Sequence, residues 1–338
     1  MKSLKCGLFS RYRSEIYGLS IVWIMLFHTI VMLGFRYDRI GPVFRPVQFF
    51  LKYGNMGCEI FLFCSGIGLY YSFMKDRDPG RYVKRRLSRL FWPVLIIDGW
   101  YWVWLHLIIK WQPSTFLTKL SMLQFWFNGD QQIWFLSTIL LLYLLAPYLL
   151  SVMEQSRHRI LLTALLAAGS GLLLVAFSRS APDYYKLVEI GLTRIPVFLM
   201  GLCFGKTVYE KKELPVWVYG ISALMMLSGF WVLRENVLHG CWRRFFYLLP
   251  ALGVLGAAVG LLSLIPKENP VLKIAAWCGS ISLELYLSHV MLYRIYRSSV
   301  PEEGRHLWHL LLLIPLSFAV AAASSLIYRR ILRPLLKR

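Results

Sequence analysis

The stretch WIMLFHTIVMLG, residues 23–34, decides the class of fold, because it is apolar throughout except for His28 and Thr29. About 20 apolar residues in a helix cross a bilayer core of about 30 Å, and such blocks recur from Ile16 almost to the C-terminus. The whole chain is 57% hydrophobic and 16% charged, with a mean hydropathy of +0.55. This composition excludes an ordinary soluble domain. We therefore predict an all-α, polytopic integral membrane protein that forms a single domain over residues 1–338.

Ten membrane spans are predicted from the apolar blocks and from the Pro- and Gly-containing turns between them. Nine or eleven spans are the alternatives. The doubtful stretch is FLTKLSMLQFWFNGD, residues 116–130, which is too short and too mixed to cross. It is expected to lie at an interface and is not counted as a span. The predicted spans are residues 15–34, 54–74, 90–111, 133–152, 160–178, 188–207, 215–233, 246–266, 271–296 and 307–328.

The basic residues predict the orientation, because loops rich in Lys and Arg stay in the cytoplasm. Seven positive residues lie in KDRDPGRYVKRRLSRL, residues 75–90, and five in the tail RRILRPLLKR, residues 329–338. Both termini are therefore expected to be cytoplasmic, in a multi-pass membrane protein. The basic residues, which give the chain a net charge of +21, then border the spans and face lipid headgroups or a cytoplasmic polyanion. No nucleic-acid partner is expected.

A short set of polar side chains lies inside the predicted spans. Each one costs on the order of 3 kcal/mol at a helix centre and therefore needs a partner or water. The six cysteines lack CxxC spacing, so neither a metal site nor a disulfide framework is expected. The polar candidates are His28, Glu59, Asp98, His106, Arg194, Glu284 and His289.

Depth along adjacent spans predicts a contact between His28 and Glu59. Both residues fall in the outer half of the bilayer, where a carboxylate would orient the imidazole as a general base. Arg194 is expected to be neutralised by Glu59, by Glu284 or by a ligand anion. The alternative for His28 is a packing hydrogen bond to a neighbouring helix.

Two further polar residues favour structural interpretations. His106 follows the tryptophan-rich stretch DGWYWVW, which is typical of anchoring at the membrane interface. Asp98 is expected to have a structural partner.

Six segments, in order along the chain, resemble the motifs of the type-3 membrane acyltransferases, the acyltransferase 3 family. The first resembles the family pattern LRGLAxxxVVxxH, the third its basic loop RRLxRLxPxY, and the last its SYxLYLxHxPL. Together they are spread over most of the chain, from Ile16 to Leu292. The segments are IYGLSIVWIMLFH (16–28), GCEIFLFCSGIGLYYSF (57–73), YVKRRLSRLFWP (82–93), IWFLSTILLLYLLAP (133–147), RIPVFLMGLCFG (194–205) and SISLELYLSHVML (280–292).

The resemblance implies an enzyme that moves an acyl group, usually acetyl, from cytoplasmic acyl-CoA to a carbohydrate hydroxyl. His28 matches the family's catalytic histidine and Glu59 its acidic position in the second span, while Arg85 and Arg86 match its basic loop. Arg194 and His289 also match family positions.

One position departs from the family pattern. The family commonly has an arginine eleven residues before the histidine, where this chain has Tyr17. Arg13 is the nearest substitute, so the donor is expected to rest on Arg13 or on the basic loop.

The expected mechanism places the CoA phosphates on Arg85 and Arg86, and His28 deprotonates the acceptor hydroxyl. Either Arg194 or Ser65 is the candidate for stabilising the oxyanion, and no resident cofactor is expected beyond the acyl-CoA substrate. Expected partners are a cell-surface or lipid-linked sugar and other glycan-assembly proteins. The alternatives are a transporter or flippase for a lipid-linked sugar or small anion, and an inactive scaffold, although no half-to-half repeat is detected.

Overall fold

The computed structural model describes residues 3–36, 41–332 and 334. Its helices are joined by short loops with 3₁₀ and π turns, and two short strands form a small sheet. The strands are β1 (Ser3–Lys5) and β2 (Glu213–Pro215), and the helices are α1 (Gly7–Arg11), α2 (Arg13–Val31), α3 (Arg45–Lys52), α4 (Gly57–Lys75), α5 (Pro79–Val94), α6 (Trp100–Trp102), α7 (Pro113–Leu120), α8 (Gln124–Asn128), α9 (Trp134–Gln155), α10 (Arg159–Ser180), α11 (Pro182–Leu192), α12 (Ile195–Tyr209), α13 (Trp217–Arg234), α14 (Gly240–Phe246), α15 (Leu248–Leu262), α16 (Pro270–Ser280), α17 (Ser282–Ser299) and α18 (Leu310–Ile327).

The predicted fold class is confirmed. Within the described residues, nine helical segments are long and apolar enough to cross a membrane. A tenth span results if α16 and α17, which are bent by 74° at Ile281, are counted together. This number agrees with the ten spans that the sequence predicts. The interfacial stretch 116–130 is divided between the short helices α7 and α8.

Contacts between distant segments bring both described chain ends to one end of the helix bundle. The strand β1 pairs antiparallel with β2, in the loop between α12 and α13. Lys267 donates a hydrogen bond to the carbonyl of Arg11 (3.4 Å), and Arg329 donates one to the carbonyl of Ser280 (3.0 Å). These segments all belong to the predicted cytoplasmic side. Part of the basic tail, residues 333 and 335–338, lies outside the described residues.

Glycines permit the closest helix contacts in the bundle. A Cβ atom on Gly18 would lie 1.8 Å from the carbonyl oxygen of Ala275, where α2 crosses α16. A Cβ atom on Gly201 would lie 2.2 Å from the carbonyl oxygen of Phe63, where α12 crosses α4. Small residues of this kind allow helix backbones to touch inside a membrane. The two contacts fix α2, which carries Arg13 and His28, and α4, which carries Glu59 and Ser65.

Replacement of Gly201 by alanine is therefore expected to destabilise the protein by about 1–3 kcal/mol, because the added methyl group collides with the backbone of α4. The matched control is Gly220→Ala on α13, where nothing lies within 4 Å of the added Cβ. The control should be neutral or slightly stabilising, since alanine favours helix. Thermal unfolding of the purified variants measures the difference, and equal midpoints for the two would contradict this packing.

Candidate active site

Two histidines from different helices form a hydrogen-bonded pair inside the bundle. His28, near the C-terminal end of α2, places its Nδ1 atom 2.8 Å from the Nε2 atom of His289 on α17. The Nδ1 atom of His289 lies 2.6 Å from the carbonyl oxygen of Leu285. His289 is fully buried, whereas His28 is partly exposed. His28 is therefore the more accessible member of the pair.

The partners of the two rings determine where their protons lie. A backbone carbonyl only accepts hydrogen bonds, so the Nδ1 atom of His289 carries a proton and donates it to Leu285. In a neutral ring, the Nε2 atom of His289 is then an acceptor, and His28 donates to it from Nδ1. The Nε2 atom of His28 is left with its lone pair free. This arrangement leaves one ring nitrogen of His28 able to accept a proton, which is what a general base requires.

Glu59 does not contact His28, and the predicted pair is corrected. Its carboxylate forms an ion pair with Arg194 (3.1 Å), and both side chains are almost completely buried. Helical structure is interrupted between α11 and α12, and Arg194 lies at this interruption, opposite the first turn of α4. A guanidinium stays charged in a protein, so it takes the nearby carboxylate, while the imidazole of His28 is satisfied by His289. Glu59 is thus one of the three neutralising groups expected for Arg194.

Arg194 has two further partners besides the carboxylate. It donates a hydrogen bond to the carbonyl of Ile190 (2.5 Å), and its guanidinium lies 4.6 Å from the centre of the Trp134 ring. A cation over an indole face gains a favourable interaction that is stronger away from water. The pair and its aromatic neighbour therefore tie together α4, α9 and the start of α12.

A cavity of about 560 Å³ opens among arginine side chains at the end of the bundle that holds the chain termini. Arg13, Arg86, Arg89 and Arg329 line it. An opening rich in guanidinium groups suits a ligand with phosphate groups, because Arg binds phosphate in a bidentate manner. The other lining residues used below are Tyr17, Ile24, Cys58, Phe61, Ser65, Glu284 and Tyr286.

The cavity extends along α2 toward the histidine pair. It reaches from Arg13 to Ile24, eleven residues or roughly 16 Å of helix. His28 lies four residues beyond Ile24, about one further turn. Tyr286 lines the inner part of the cavity, and its ring packs edge-on against His289 at 5.9 Å between ring centres. The cavity therefore runs from the basic opening toward the imidazole pair and ends about one helical turn short of it, since neither histidine is among its lining residues.

The predicted donor residues do not all lie in this cavity. Arg13 and Arg86 line it, but Arg85 forms an ion pair with Asp76 (2.7 Å) on the exposed side of α5. The hydrogen bond from Arg85 holds the pKa of Asp76 below its ordinary value. Arg85 is therefore engaged outside the cavity.

Two arginines at the opening were not among the sequence candidates. Arg89 follows Arg86 by three residues and therefore shares its helix face. The spacing within RRLSR, residues 85–89, would have been enough to predict this from the sequence. Arg329 comes from the far end of the chain, and no local pattern connects it with α5.

Tyr17, which stands where the family commonly has arginine, lies within the cavity. Its ring stacks on Phe61 with 4.8 Å between ring centres, and the guanidinium of Arg13 lies 6.0 Å from the Tyr17 ring. Ser65 lines the same part of the cavity. Because Tyr17 is eleven residues before His28, this level is about 16 Å from the imidazole. Ser65 is thus too far from His28 to stabilise an oxyanion there, and Arg194 is already held by Glu59 and Trp134.

The remaining polar candidates lie elsewhere. Glu284 lines the cavity in the first turn of α17. Asp98 and His106 are buried in π-helical turns of the third span, Leu95–Gly99 and Val103–Ile109. His106 contacts the side chain of Gln112 at 3.4 Å. These two residues pack near the segment of α7 and α8 and do not line the cavity.

Comparisons with known proteins define the class. A family model described as an acyltransferase domain, that of the acyltransferase 3 family, matches residues 18–329. The chain therefore belongs to this family of membrane acyltransferases, as the six motifs suggested. Searches of curated proteins and of solved structures gave no significant match.

The ion pair predicts a distinctive pattern of stability. Either Glu59→Gln or Arg194→Met alone leaves one buried charge without its partner and should cost about 3–5 kcal/mol. The double variant removes both charges and should recover a large part of the loss. Unfolding midpoints of the three variants measure the coupling. Arg81→Gln, at an exposed surface pair, is the control and should leave the midpoint unchanged; strictly additive losses at Glu59 and Arg194 would contradict the pairing.

Proposed function

We propose that this membrane acyltransferase moves an acyl group, acetyl in the simplest case, from cytoplasmic acyl-CoA to a hydroxyl of a cell-surface or lipid-linked carbohydrate. The observation that carries the proposal is the cavity itself. It begins among four arginines and extends to within about one helical turn of the hydrogen-bonded histidines. The proposed location is a bacterial-type plasma membrane, with other glycan-assembly proteins as partners.

Donor binding uses the arginines at the opening. The phosphates of CoA rest on Arg13 and Arg86, with Arg89 and Arg329 completing the positive surface. The flexible arm of CoA then lies along α2, past the stacked rings of Tyr17 and Phe61. The cavity length of roughly 16 Å suits a long, narrow group that carries its reactive thioester at the tip. Tyr17 thus lies against the arm, while Arg13 takes over the charge of the family's arginine.

The chemical step uses His28 as the base. The Nε2 atom of His28 accepts the proton of the acceptor hydroxyl as that oxygen attacks the thioester carbonyl. His289 accepts the hydrogen bond from Nδ1 and so stabilises the imidazolium that forms. When the tetrahedral intermediate collapses, the carbon–sulfur bond breaks, and the imidazolium returns its proton to the sulfur of CoA. The products are an ester and free CoA.

Glu59 and Arg194 act at a distance in this scheme. The pair holds the first turn of α4 against α12, next to Cys58, which lines the inner part of the cavity. We therefore give Glu59 a positioning role in place of the orienting role that the sequence suggested.

The rival function is transport of a lipid-linked sugar or small anion without chemistry. Release of CoA separates the two, because transport leaves the thioester intact. Purified protein mixed with acetyl-CoA and extracted surface glycan should release CoA in proportion to the ester formed. Movement of sugar without thioester loss would favour the transporter.

Loss of His28 should stop transfer. His28→Ala removes the base and should lower kcat by roughly 10²–10⁴-fold, while His289→Ala, which only frees the tautomer of His28, should lower it less. Neither change touches the arginines, so the KM for acyl-CoA should stay the same in both. The rates are measured by the release of free CoA, which is detected through its thiol. A folded His28→Ala protein that transfers acyl groups at the wild-type rate would contradict the mechanism.

Two adjacent arginines provide a matched test of the donor site. Arg86→Gln removes a charge-assisted contact to phosphate and should raise the KM for acyl-CoA by at least about tenfold. Arg85→Gln changes the same residue type one position away, outside the cavity, and should alter the KM by less than about twofold. Equal effects of the two substitutions would show that the donor does not enter through this cavity.

A further inference from the structure

A single carboxylate lies among the lining residues of the arginine-lined cavity, and it belongs to Glu284 in the first turn of α17. Glu284 is 8% exposed, so its side chain is held away from bulk water. Much of the surrounding lining is apolar, which makes an acidic side chain an unusual component of this wall. The apolar lining residues include Ile21, Ile24, Phe135, Ile139 and Leu283.

The Glu284 carboxylate takes part in no ion pair among the residues that the structure describes. The charge of Arg329 acts on it, but the Nη2 atom of Arg329 donates to the carbonyl of Ser280 (3.0 Å). Within the described part of the chain, the one hydrogen-bond donor near the carboxylate is its own backbone N–H. A carboxylate accepts several hydrogen bonds, and a buried one is costly without them. Glu284 therefore has hydrogen-bonding capacity left for a ligand.

Glu284 lies between the basic opening and the histidine pair. Ser280, which accepts the hydrogen bond from Arg329 at the opening, precedes it by four residues. His289 follows it by five residues, which is about 7.5 Å of helix. A ligand with anionic groups on the arginines and a reactive end near His28 therefore passes the Glu284 carboxylate on its way.

The proposed donor carries hydrogen-bond donors at this depth. The pantetheine arm of CoA contains two amide groups, whose nitrogens lie about 4 Å and about 9 Å from the sulfur when the arm is extended. An amide N–H that enters an apolar cavity loses its water partner and needs an acceptor. The acetyl group and the sulfur of the thioester have no hydrogen to donate, and the one hydroxyl of the arm lies farther out, toward the phosphates. An amide N–H is therefore the group that complements Glu284.

We infer that Glu284 is a recognition residue for the acyl donor, because its carboxylate accepts a hydrogen bond from an amide N–H of the pantetheine arm. The inference rests on the proposed function and deepens it. Arginines at the opening bind phosphate groups, which all nucleotides have. Glu284 binds the arm, which distinguishes CoA from other nucleotides. The family pattern SYxLYLxHxPL leaves this position open, so the resemblance assigns Glu284 no role.

The test compares two ligands on the purified full-length protein by isothermal titration calorimetry. The ligands are CoA and adenosine 3′,5′-bisphosphate, a fragment of CoA that has phosphate groups but no arm. Glu284→Leu removes the acceptor at similar side-chain size, and Glu284→Gln keeps a neutral acceptor. Glu15→Gln is the matched control, since Glu15 on α2 is 7% exposed and does not line the cavity.

Glu284→Leu should weaken CoA binding by at least about tenfold, because a hydrogen bond to a charged group is lost. Its affinity for adenosine 3′,5′-bisphosphate should stay the same or rise, since removal of a negative charge does not weaken phosphate binding. Glu284→Gln should lie between the wild type and Glu284→Leu, and Glu15→Gln should bind both ligands like the wild type. Equal CoA affinity in Glu284→Leu and wild type would overturn the inference. So would an equal loss for both ligands, because that result would show general damage to the cavity.

Catalysis is scored separately on the same samples. Glu284→Leu should raise the KM for acetyl-CoA by a factor similar to the loss of CoA affinity, and the KM for the acceptor should not change. A wild-type protein that binds CoA through Glu284 but transfers no acyl group would reject the proposed function and support the role of Glu284. Acyl transfer by Glu284→Leu with an unchanged KM for acetyl-CoA would reject the role of Glu284 and leave the proposed function intact.

Discussion

The buried ion pair between Glu59 and Arg194 determines how the other polar residues are arranged. A guanidinium in the bundle interior needs a carboxylate, and Glu59 supplies it from the first turn of α4. His28 is thereby left to pair with His289, a neutral partner that fixes its tautomer without adding a charge. The same ion pair joins α4 to α12 beside the arginine-lined cavity.

The histidine pair lies between two differently built faces of the protein. Toward the chain termini, arginines surround a cavity that points at the pair, while His28 itself remains partly exposed. In the proposed function, a base in this position serves a donor and an acceptor that approach from opposite sides. The close helix contacts at Gly18 and Gly201 hold α2 and α12 rigidly enough to keep that geometry. Fold and proposed chemistry thus depend on the same few helices.

The sequence predicts the spans well because apolar length is a local property, and the bend at Ile281 lies within a span that it places correctly. It also identifies His28, His289 and Arg194, since each is polar in an apolar block. The predicted contact between Glu59 and His28 is wrong because depth along a span does not reveal which helix faces it laterally, whereas the pairing of Glu59 with Arg194 is one of the three alternatives that the sequence allows. Arg329 was missed for a related reason: it reaches the cavity from the other end of the chain.

The most direct test is a structure of the full-length protein with a non-hydrolysable acetyl-CoA analogue, determined by electron cryo-microscopy. We predict the phosphates on Arg13 and Arg86, the arm along α2 past Tyr17, and the acyl end next to the Nε2 atom of His28. An analogue bound elsewhere, or one with its acyl end far from His28, would contradict it.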